Sequence, residues 1–223
     1  LLSIDLDGKI CSVLHTQNDS LADVVKSDGT TILYGTDYFT DRLFNLEFKI
    51  TAFSFFQTNT KGAETLYSVV KEYAGDVKDK TVFDLYCGTG TIGQIMAEQS
   101  KKVIGIELVE EAVVAANENV ERNGIKNCTF IAGDVLKKVD EINEKPEIII
   151  VDPPREGIHP KAIGKIIDFG AEKIVYVSCK PSSLARDLVI FEENGYKAER
   201  VKCVNQFGRT NHVETVCLLR KIK

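Results

Sequence analysis

The feature that most constrains the fold of this chain is a regular alternation of short apolar runs with helix-like stretches. Six runs of six to eight residues have the composition of buried strands: TVFDLY (81–86), KVIGIE (102–107), CTFIAG (128–133), EIIIVD (147–152), KIVYVS (173–178) and HVETVCLL (212–219). Between the first five lie segments with helical periodicity, including 110–123 and 160–169. This spacing is typical of a parallel, doubly wound α/β sheet, which binds ligands at the carboxyl ends of its strands.

The residues before this pattern indicate a smaller, β-rich unit. Apolar side chains alternate at Leu46, Phe48 and Ile50, and glycine-containing turns precede them. Apolar residues at helical spacing follow and stop before a glycine that suits a helix C terminus: Leu66, Val69, Val70, Tyr73 and Gly75. We therefore predict a β-rich appendage over residues 1–58 and one α/β domain over residues 59–223.

The charge of the chain is unevenly distributed. The 28 Lys and Arg residues against 33 Asp and Glu residues give a net charge of −5, which by itself argues against a polyanionic partner. Residues 1–154 contain 15 basic and 25 acidic side chains, whereas residues 155–223 contain 13 and 8. The basic excess lies entirely in the last third of the chain, so a polyanion could still bind there.

The cysteine spacing and the hydropathy of the chain argue against disulfide-rich, metal-binding and membrane-spanning proteins. The six cysteines include no C-x-x-C pair, which argues against a disulfide scaffold and a local zinc or iron–sulfur motif. No run approaches 18 apolar residues and no signal segment is visible. We expect a cytoplasmic monomer without a membrane partner or a metal. Because the chain begins at Leu1 and not at Met, we also expect a fragment or processed form.

A glycine-rich loop follows the first predicted strand of the α/β domain. The sequence CGTGTIG (87–93) has the G-x-G-x-x-G pattern, in which missing side chains let the backbone approach a ligand closely. Asp84 precedes this loop, and Glu107 ends the next strand, where a carboxylate can accept hydrogen bonds from ribose hydroxyls. Asp134 follows the third strand, where methyltransferases meet the adenine. These residues favour S-adenosylmethionine as the cofactor, and NAD is the alternative.

The fourth strand runs into a rigid turn, DPPREG (152–157). The two prolines force an extended exit from the strand, which directs the Asp152 carboxylate towards the cofactor. Amino-methylating enzymes usually carry an aromatic residue after D-P-P to stack on the target base. Arg155 stands in that position here, which argues against that chemistry.

Cys179 is the candidate nucleophile. It lies where the fifth strand gives way to a helix, for which we expect Ser182 or Ser183 as the N-cap. The helix N terminus and the neighbouring Lys180 would favour the thiolate over the thiol. Cys87 is expected to pack under the helix that follows the glycine loop. The remaining cysteines are expected to be structural: Cys11, Cys128, Cys203 and Cys217.

The last predicted strand carries a candidate base. By strand period His212 and Glu214 lie on one face, beside apolar residues. A carboxylate in such surroundings would have a raised pKa and could accept a proton in catalysis. The alternative is an exposed polar face of a terminal strand.

Together these motifs resemble those of RNA uracil-5-methyltransferases, which use S-adenosylmethionine to form 5-methyluridine in ribosomal or transfer RNA. The matching stretches follow the family's order: FSFFQTN (53–59), DLYCGTGTIG (84–93), GIELVEEAV (105–113), DPPREGI (152–158), YVSCKPSSLARD (176–187) and HVE (212–214). The resemblance implies a mostly parallel, seven-stranded, Rossmann-like methyltransferase sheet.

The resemblance also implies residue roles. Cys179 matches the nucleophile that adds to carbon 6 of uracil, and Glu214 matches the base that removes the proton from carbon 5. Cofactor contacts are implied or expected for Gln57, Tyr86, Gly88, Gly90, Thr91, Glu107, Asp134 and Asp152. The candidates for RNA contacts are Arg155, Lys180, Arg186, Arg209 and His212.

The RNA target is expected to be ribosomal, 23S RNA, because DLYCGTGTIG resembles the ribosomal branch more than the transfer-RNA branch. The N-terminal RNA-binding barrel of many members and the iron–sulfur site of some are not visible. Residues 1–58 would then be the remainder of a central domain. The open alternatives are a transfer-RNA target, another methyl acceptor, an RNA-binding module without catalysis, and an NAD-dependent oxidoreductase.

Overall fold

Two antiparallel hairpins precede the main sheet. The structure, a computed structural model, describes residues 2–20, 28–52 and 54–222; Phe53, the first residue of the FSFFQTN stretch, lies outside them. The hairpin strands are β1 (Ser12–Gln17), β2 (Gly29–Gly35), β3 (Tyr38–Leu43) and β4 (Leu46–Thr51). Strands β1 and β2 pair with each other, as do β3 and β4.

A seven-stranded, mostly parallel sheet forms the centre of the molecule. Its strands are β5 (Thr81–Leu85), β6 (Lys102–Glu107), β7 (Cys128–Ala132), β8 (Ile148–Val151), β9 (Lys173–Ser178), β10 (Tyr196–Val204) and β11 (Glu214–Lys221). Their order is β10-β11-β9-β8-β5-β6-β7, and only β11 is antiparallel to both of its neighbours. This is the predicted Rossmann-like architecture.

Helices cover both faces of the sheet. They are α1 (Thr60–Ala74), α2 (Thr91–Ala97), α3 (Glu110–Arg122), α4 (Val135–Lys138), α5 (Pro160–Asp168) and α6 (Pro181–Glu193). One core cluster joins α1, α2, α3 and the β3–β4 hairpin to the sheet, and a second joins α4, α5 and α6 to the other face. Burial on both faces explains the continuous apolar run of β8, whose four residues are all 0% exposed. Within the described part of the chain, no helix is long and apolar enough to cross a membrane.

The β3–β4 hairpin packs tightly on the sheet domain. The predicted alternation is confirmed, because Leu46, Phe48 and Ile50 are all buried in the core. The side chain of Asn123 bonds both the N–H and the carbonyl of Glu47, at 2.9 and 3.0 Å. Asn119 bonds Lys49 in the same way, so α3 satisfies the outer edge of β4. The division of the chain at residue 58 stays a prediction.

Several predicted boundaries hold to within one residue. The ranges 110–123 and 160–169 correspond to α3 and α5, and Gly75 ends α1 with a φ of +71°. Strand β10 was not predicted, since four of its nine residues are charged and most are exposed at a sheet edge. The last strand begins at Glu214, so the prediction that His212 lies within it is wrong. The N-cap of α6 is Lys180, and Ser182 and Ser183 lie inside the helix instead.

Candidate active site

The carboxyl ends of the parallel strands bring the predicted site residues to one edge of the sheet. Cys179 directly follows β9, and Asp152 directly follows β8. Because β11 runs antiparallel to β9 and pairs Thr215 with Ser178, the register puts Glu214 next to Cys179. The β10–β11 connection, residues 205–213, therefore lies at the same edge as the ends of the parallel strands.

The glycine loop owes most of its glycines to a single aromatic ring. A Cβ at Gly90 would lie 2.4 Å from the Phe130 ring, one at Gly93 3.0 Å from it, and one at Gly105 2.2 Å. Gly88 differs, since a Cβ there would meet nothing within 4 Å. Both Gly88 and Gly90 have positive φ, +52° and +74°. The expected close approach to a ligand is therefore supported at Gly88, whereas Gly90 serves the packing of Phe130.

Glu107 and Asp134 are already engaged with nearby backbone. The two carboxylate oxygens of Glu107 accept hydrogen bonds from the N–H of Gly88 at 2.9 Å and of Val109 at 3.0 Å. Each oxygen keeps a lone pair for a further donor. Asp134 is the N-cap of α4 and accepts from the N–H of Leu136 at 2.9 Å. A local structural role thus accounts for Asp134, while Glu107 is anchored directly beneath the glycine loop.

Tyr86 holds an unusual backbone conformation. Its φ of +62° lies in the left-handed region, which is an outlier for a bulky residue. Burial, together with the nearby charges of Asp134 and Asp187, raises the pKa of Tyr86 to about 12. Such strain concentrates at functional sites, where surrounding contacts hold it in place.

Three carboxyl groups of the site have raised pKa values. Burial raises the pKa of Asp84 to about 7, although Oδ2 accepts a 2.7 Å bond from the N–H of Gly93. Burial and the charges of Glu214 and Asp84 raise the pKa of Asp152 to about 8. Burial also raises the pKa of Glu214, with His212 acting in the opposite direction. Ionisation of these groups is therefore unfavourable in the empty site, and a cationic ligand would stabilise their ionised forms.

Two buried oxygens at this edge have no hydrogen-bond partner among the residues that the structure describes. They are Oε1 of Gln206 and Oδ1 of Asp84, whose side chain is 0% exposed. An unpaired buried carboxylate oxygen is costly. The orphaned atom and the raised pKa values both fit a cofactor that brings positive charge and donors.

Gln57 belongs to a polar network that sequence reasoning missed. Gln206 donates from Nε2 to Oε1 of Gln57 at 2.8 Å, across the gap between residues before α1 and the β10–β11 connection. The hydroxyl of Tyr67 lies beside Gln57, whose side chain lowers the phenol pKa against the larger raising effect of burial. Asn59, the N-cap of α1, donates to the carbonyl of Gln206 at 2.6 Å. Gln57 therefore reaches the site with its carbonyl already engaged and its amide group as the donor.

Cys179 is partly exposed, and its thiol is not activated in the way that the sequence suggested. Burial, then the charges of Glu214 and Asp152, raise the pKa of Cys179. The cation that opposes them is Arg155. The expectation of a thiolate favoured by Lys180 is therefore wrong for the unliganded chain.

The other cysteines divide into two groups. Cys87 packs in the core beneath the glycine loop, as expected, and burial raises its pKa. Cys128 and Cys217 are also buried. Cys11 and Cys203 are exposed, so burial does not support the structural role expected for them. No cluster of His, Cys, Asp or Glu with metal-binding geometry occurs in residues 2–20, 28–52 and 54–222.

The residues expected to contact RNA surround the same edge. Arg155, Lys180, Arg209 and His212 are exposed. Thr91, which was expected to contact the cofactor and not RNA, is the first residue of α2 and is 8% exposed. Arg186 is also exposed, but its guanidinium bonds Asp187 and the carbonyl of Glu156. Asp187 and Gln206 carried no separate signal in the sequence, because a buried polar residue within a helix or a loop resembles a surface one.

Comparison with known proteins gives close matches in sequence. The family described as tRNA (uracil-5-)-methyltransferase matches residues 8–222. An uncharacterized RNA methyltransferase of Clostridium tetani is 57% identical over 219 residues, which are 98% of this chain and 48% of that protein. One from Caldanaerobacter subterraneus is also 57% identical over 219 residues, 98% of this chain and 49% of that protein. The chain thus spans about half the length of these relatives.

Solved structures give matches of the same kind. The Pyrococcus abyssi tRNA (uracil-54, C5)-methyltransferase in complex with S-adenosyl-L-homocysteine has a TM-score of 0.81 at 31% identity, covering 95% of this chain and 51% of that one. An rRNA methylase from Streptococcus thermophilus has a TM-score of 0.58 at 17% identity over 73% of this chain and 97% of that one, which shows the fold alone. Since the family match spans nearly every residue, the chain belongs to the tRNA (uracil-5-)-methyltransferase family.

Proposed function

We propose that this chain transfers a methyl group from S-adenosylmethionine to carbon 5 of a uridine in RNA. The observation that carries the proposal is the pairing of Ser178 with Thr215, which sets a candidate nucleophile, Cys179, beside a candidate base, Glu214. Both lie at the strand edge where Asp152 and the glycine loop would hold a cofactor. An NAD-dependent hydride transfer would have no use for the thiol and carboxyl pair.

The cofactor role is supported by the charge of the site. We assign cofactor contacts to Gln57, Tyr86, Gly88, Thr91, Glu107 and Asp152, with Gly90 and Asp134 acting mainly through local structure. When bound, S-adenosylmethionine supplies an electrophilic methyl group on a positively charged sulfur. The carboxylates of Asp84 and Asp152 would interact favourably with that positive charge, which would lower the pKa of both groups. The related Pyrococcus abyssi enzyme, solved with S-adenosyl-L-homocysteine, is consistent with this cofactor.

The residues of this chain supply the remaining chemistry. Carbon 5 of uracil is a weak nucleophile, so the Cys179 thiolate adds to carbon 6 and forms an S–C6 bond. The electron pair displaced by this addition makes carbon 5 an enolate carbon, which takes up the methyl group. Glu214 then accepts the proton from carbon 5, the C5–C6 double bond re-forms, and the C6–S bond breaks to release the thiolate.

Arg155 is the group that we assign to thiolate stabilisation. It is the residue whose charge lowers the pKa of Cys179, against the effect of burial and two carboxyl groups. Protonation of Asp152 or its pairing with a cationic ligand would remove one of the opposing charges. Either change would favour the thiolate form of Cys179.

The exposed basic residues around the site are our candidates for RNA binding: Arg155, Lys180, Arg209 and His212. The target base must reach Cys179 at a partly exposed edge. A uridine in a loop could do so directly, whereas a stacked one would have to be flipped out.

We propose ribosomal RNA as the target class, on the similarity of the DLYCGTGTIG loop to the ribosomal branch. Transfer RNA is the second candidate, favoured by the 31% identity to the Pyrococcus abyssi tRNA enzyme. Both depend on the same residues at the strand edge. They differ in which RNA carries 5-methyluridine after the reaction.

The test is methyl transfer to purified RNA followed by nucleoside mass spectrometry. We expect the chain, with S-adenosylmethionine, to form 5-methyluridine in unmodified ribosomal RNA. Transfer RNA serves as the parallel substrate and Cys179→Ala as the inactive control. Methylation of transfer RNA alone would replace the ribosomal proposal. Methylation at another atom or base, or equal activity in Cys179→Ala, would overturn the proposed function.

A further inference from the structure

A buried carboxylate on α6 joins strand β9 to the turn that follows β8. Asp187 is 0% exposed. Its Oδ2 accepts hydrogen bonds from the backbone N–H of Ile158 at 2.7 Å and from the hydroxyl of Tyr176 at 2.8 Å. Its Oδ1 accepts two bonds from Arg186, from Nε at 2.9 Å and from Nη2 at 2.7 Å. Both oxygens of Asp187 are thus fully engaged in keeping neighbouring groups in place.

The same helix holds the turn that follows Asp152. Nη2 of Arg186 donates to the carbonyl of Glu156 at 2.6 Å, and Oγ of Ser183 donates to the carbonyl of Arg155 at 2.7 Å. Gly157 completes the contact with a φ of +81°, since a Cβ there would lie 2.5 Å from Nη2 of Arg186. Residues 155–158 are therefore attached to α6 at three backbone groups, with no space left between turn and helix.

This attachment matters to the thiol because α6 begins two residues after Cys179. The charged groups that act on Cys179 are Glu214 from β11, Asp152 directly after β8, and Arg155 from the attached turn. The two carboxyl groups oppose the thiolate, and Arg155 supports it. The Coulomb energy falls with distance, so Arg155 is effective only while its backbone stays in place.

We propose that Asp187 is a positioning residue, which holds residues 155–158 on α6 so that the guanidinium of Arg155 stays beside Cys179. This inference rests on the proposed role of Cys179 as the nucleophile. It also assigns Arg186, which was expected to contact RNA, to the support of this turn instead. Asp187 makes no contact with substrate in this account and acts through Arg155.

The test measures alkylation of Cys179 by iodoacetamide as a function of pH, followed peptide by peptide with mass spectrometry. The Asp187→Asn substitution removes the carboxylate charge and replaces one acceptor oxygen by an NH₂ group. That group cannot accept the hydrogen bonds that one of the two oxygens receives from Ile158 and Tyr176 or from Arg186. The midpoint is the pH at which Cys179 is alkylated at half its maximal rate. We expect this midpoint to rise by about half a pH unit, which slows the alkylation of Cys179 near neutral pH about threefold. The exposed thiols Cys11 and Cys203 are internal controls whose rates should not change. Asp168→Asn, exposed at the end of α5, is the matched charge control.

A double-mutant comparison separates positioning from general loosening of the fold. Arg155→Ala should raise the midpoint by itself, and Arg155→Lys should restore most of it. If Asp187 acts through Arg155, Asp187→Asn should add nothing in the Arg155→Ala background. An unchanged midpoint in Asp187→Asn, or the same shift with and without Arg155, would overturn the proposal.

A second variant covers the case in which Asp187→Asn does not fold. Arg186→Gln keeps the carboxylate but removes the bond to Glu156, and we expect a shift in the same direction. Alkylation requires neither RNA nor cofactor, so these results stand even if methyl transfer fails. If no midpoint shift occurs in a folded Arg186→Gln protein, the turn does not depend on this contact and the proposal is wrong.

Discussion

At the scale of single residues, the site is defined by carboxyl groups that hold protons more tightly than usual. The pKa of Asp152 is raised to about 8 and that of Asp84 to about 7, mainly by burial. Between pH 4 and 7 these groups are largely neutral in the folded chain and ionised in the unfolded chain. A cationic ligand stabilises the ionised forms, so its binding is linked to proton release.

This linkage predicts a pH dependence of cofactor binding. Below its pKa, Asp152 must lose a proton before it can pair with the cofactor, so affinity for S-adenosylmethionine should rise by up to about tenfold per pH unit. The rise should level off above pH 8, the approximate pKa of Asp152. S-adenosylhomocysteine lacks the sulfonium charge and should show a weaker rise. Titration calorimetry from pH 6 to 9 measures both.

The controls for this prediction are two Asp→Asn variants. Asp152→Asn should flatten the pH dependence for S-adenosylmethionine, whereas the exposed Asp168→Asn should leave it as in the parent chain. Parallel pH profiles for the two ligands in the parent chain would show that the sulfonium charge is not what Asp152 recognises.

Glu214 gives the second prediction at this scale. Gln has the same shape but cannot accept the proton from carbon 5, so Glu214→Gln should form the covalent adduct with RNA and resolve it slowly. Turnover should fall by about 100-fold or more, the range for loss of a general base. Quenched-flow measurement of adduct and 5-methyluridine separates the two steps. Glu121→Gln, on the exposed face of α3, should behave as the parent chain, and rapid turnover of Glu214→Gln would exclude this carboxylate as the base.

At the scale of secondary-structure elements, the glycine loop between β5 and α2 must both pack against the core and leave space for a ligand. Gly90 and Gly93 make room for Phe130, which packs beneath the start of α2. Gly88 has open space on its Cβ side and donates its N–H to Glu107. Folding therefore explains most of the G-x-G-x-x-G pattern, and ligand approach explains the first glycine.

Matched substitutions at the two glycines test this division. Gly90→Ala would clash with the Phe130 ring in a left-handed backbone, and we expect a loss of about 2–4 kcal/mol in the free energy of unfolding. Gly88→Ala should cost only about 1 kcal/mol but weaken S-adenosylhomocysteine binding by at least about tenfold. Urea unfolding and calorimetry measure the two quantities. The division fails if the substitutions have equal effects on both.

The sequence predicted elements whose patterns are local. The ends of five parallel strands and two helices were predicted to within one residue, because apolar runs bounded by turns can be recognised from the local sequence alone. Strand β10 was missed because Arg200 and Lys202 lie on an exposed edge strand and pair with Glu72 on α1. The network of Gln57 and Gln206 joins residues that are 149 positions apart in the chain, and no local sequence pattern predicts such a contact.

At the scale of the whole molecule, charge is sorted between the two parts of the chain. Residues 155–223 hold the basic excess, but part of it is neutralised within the protein. Arg220 pairs with Glu172 and Glu199, and Arg200 pairs with Glu72. Exposed cations around the strand edge, including Arg155, Lys180 and Arg209, remain candidates for binding a polyanion. Net charge alone is therefore a poor guide to the partner of this protein.

Charge reversal tests this distribution. Arg209→Glu removes a cation from the exposed β10–β11 connection, so RNA affinity should fall and the salt dependence of binding should weaken by about one phosphate contact. Lys126→Glu changes charge equally but lies just before β7, at the opposite end of the sheet. Filter binding at several salt concentrations measures both. Equal losses for the two variants would indicate that RNA does not bind at the proposed edge.

The central claim is that Cys179 forms a covalent bond to the target uridine, and one measurement tests it most directly. RNA containing 5-fluorouridine is incubated with the chain and S-adenosylmethionine, and the denatured product is digested and mapped by mass spectrometry. Because fluorine at carbon 5 cannot be removed as a proton, Glu214 cannot complete the elimination. We predict a stable adduct of methylated 5-fluorouridine on the peptide that contains Cys179, absent in Cys179→Ala. Methylation of normal RNA without any adduct, or an adduct on another cysteine, would contradict the account.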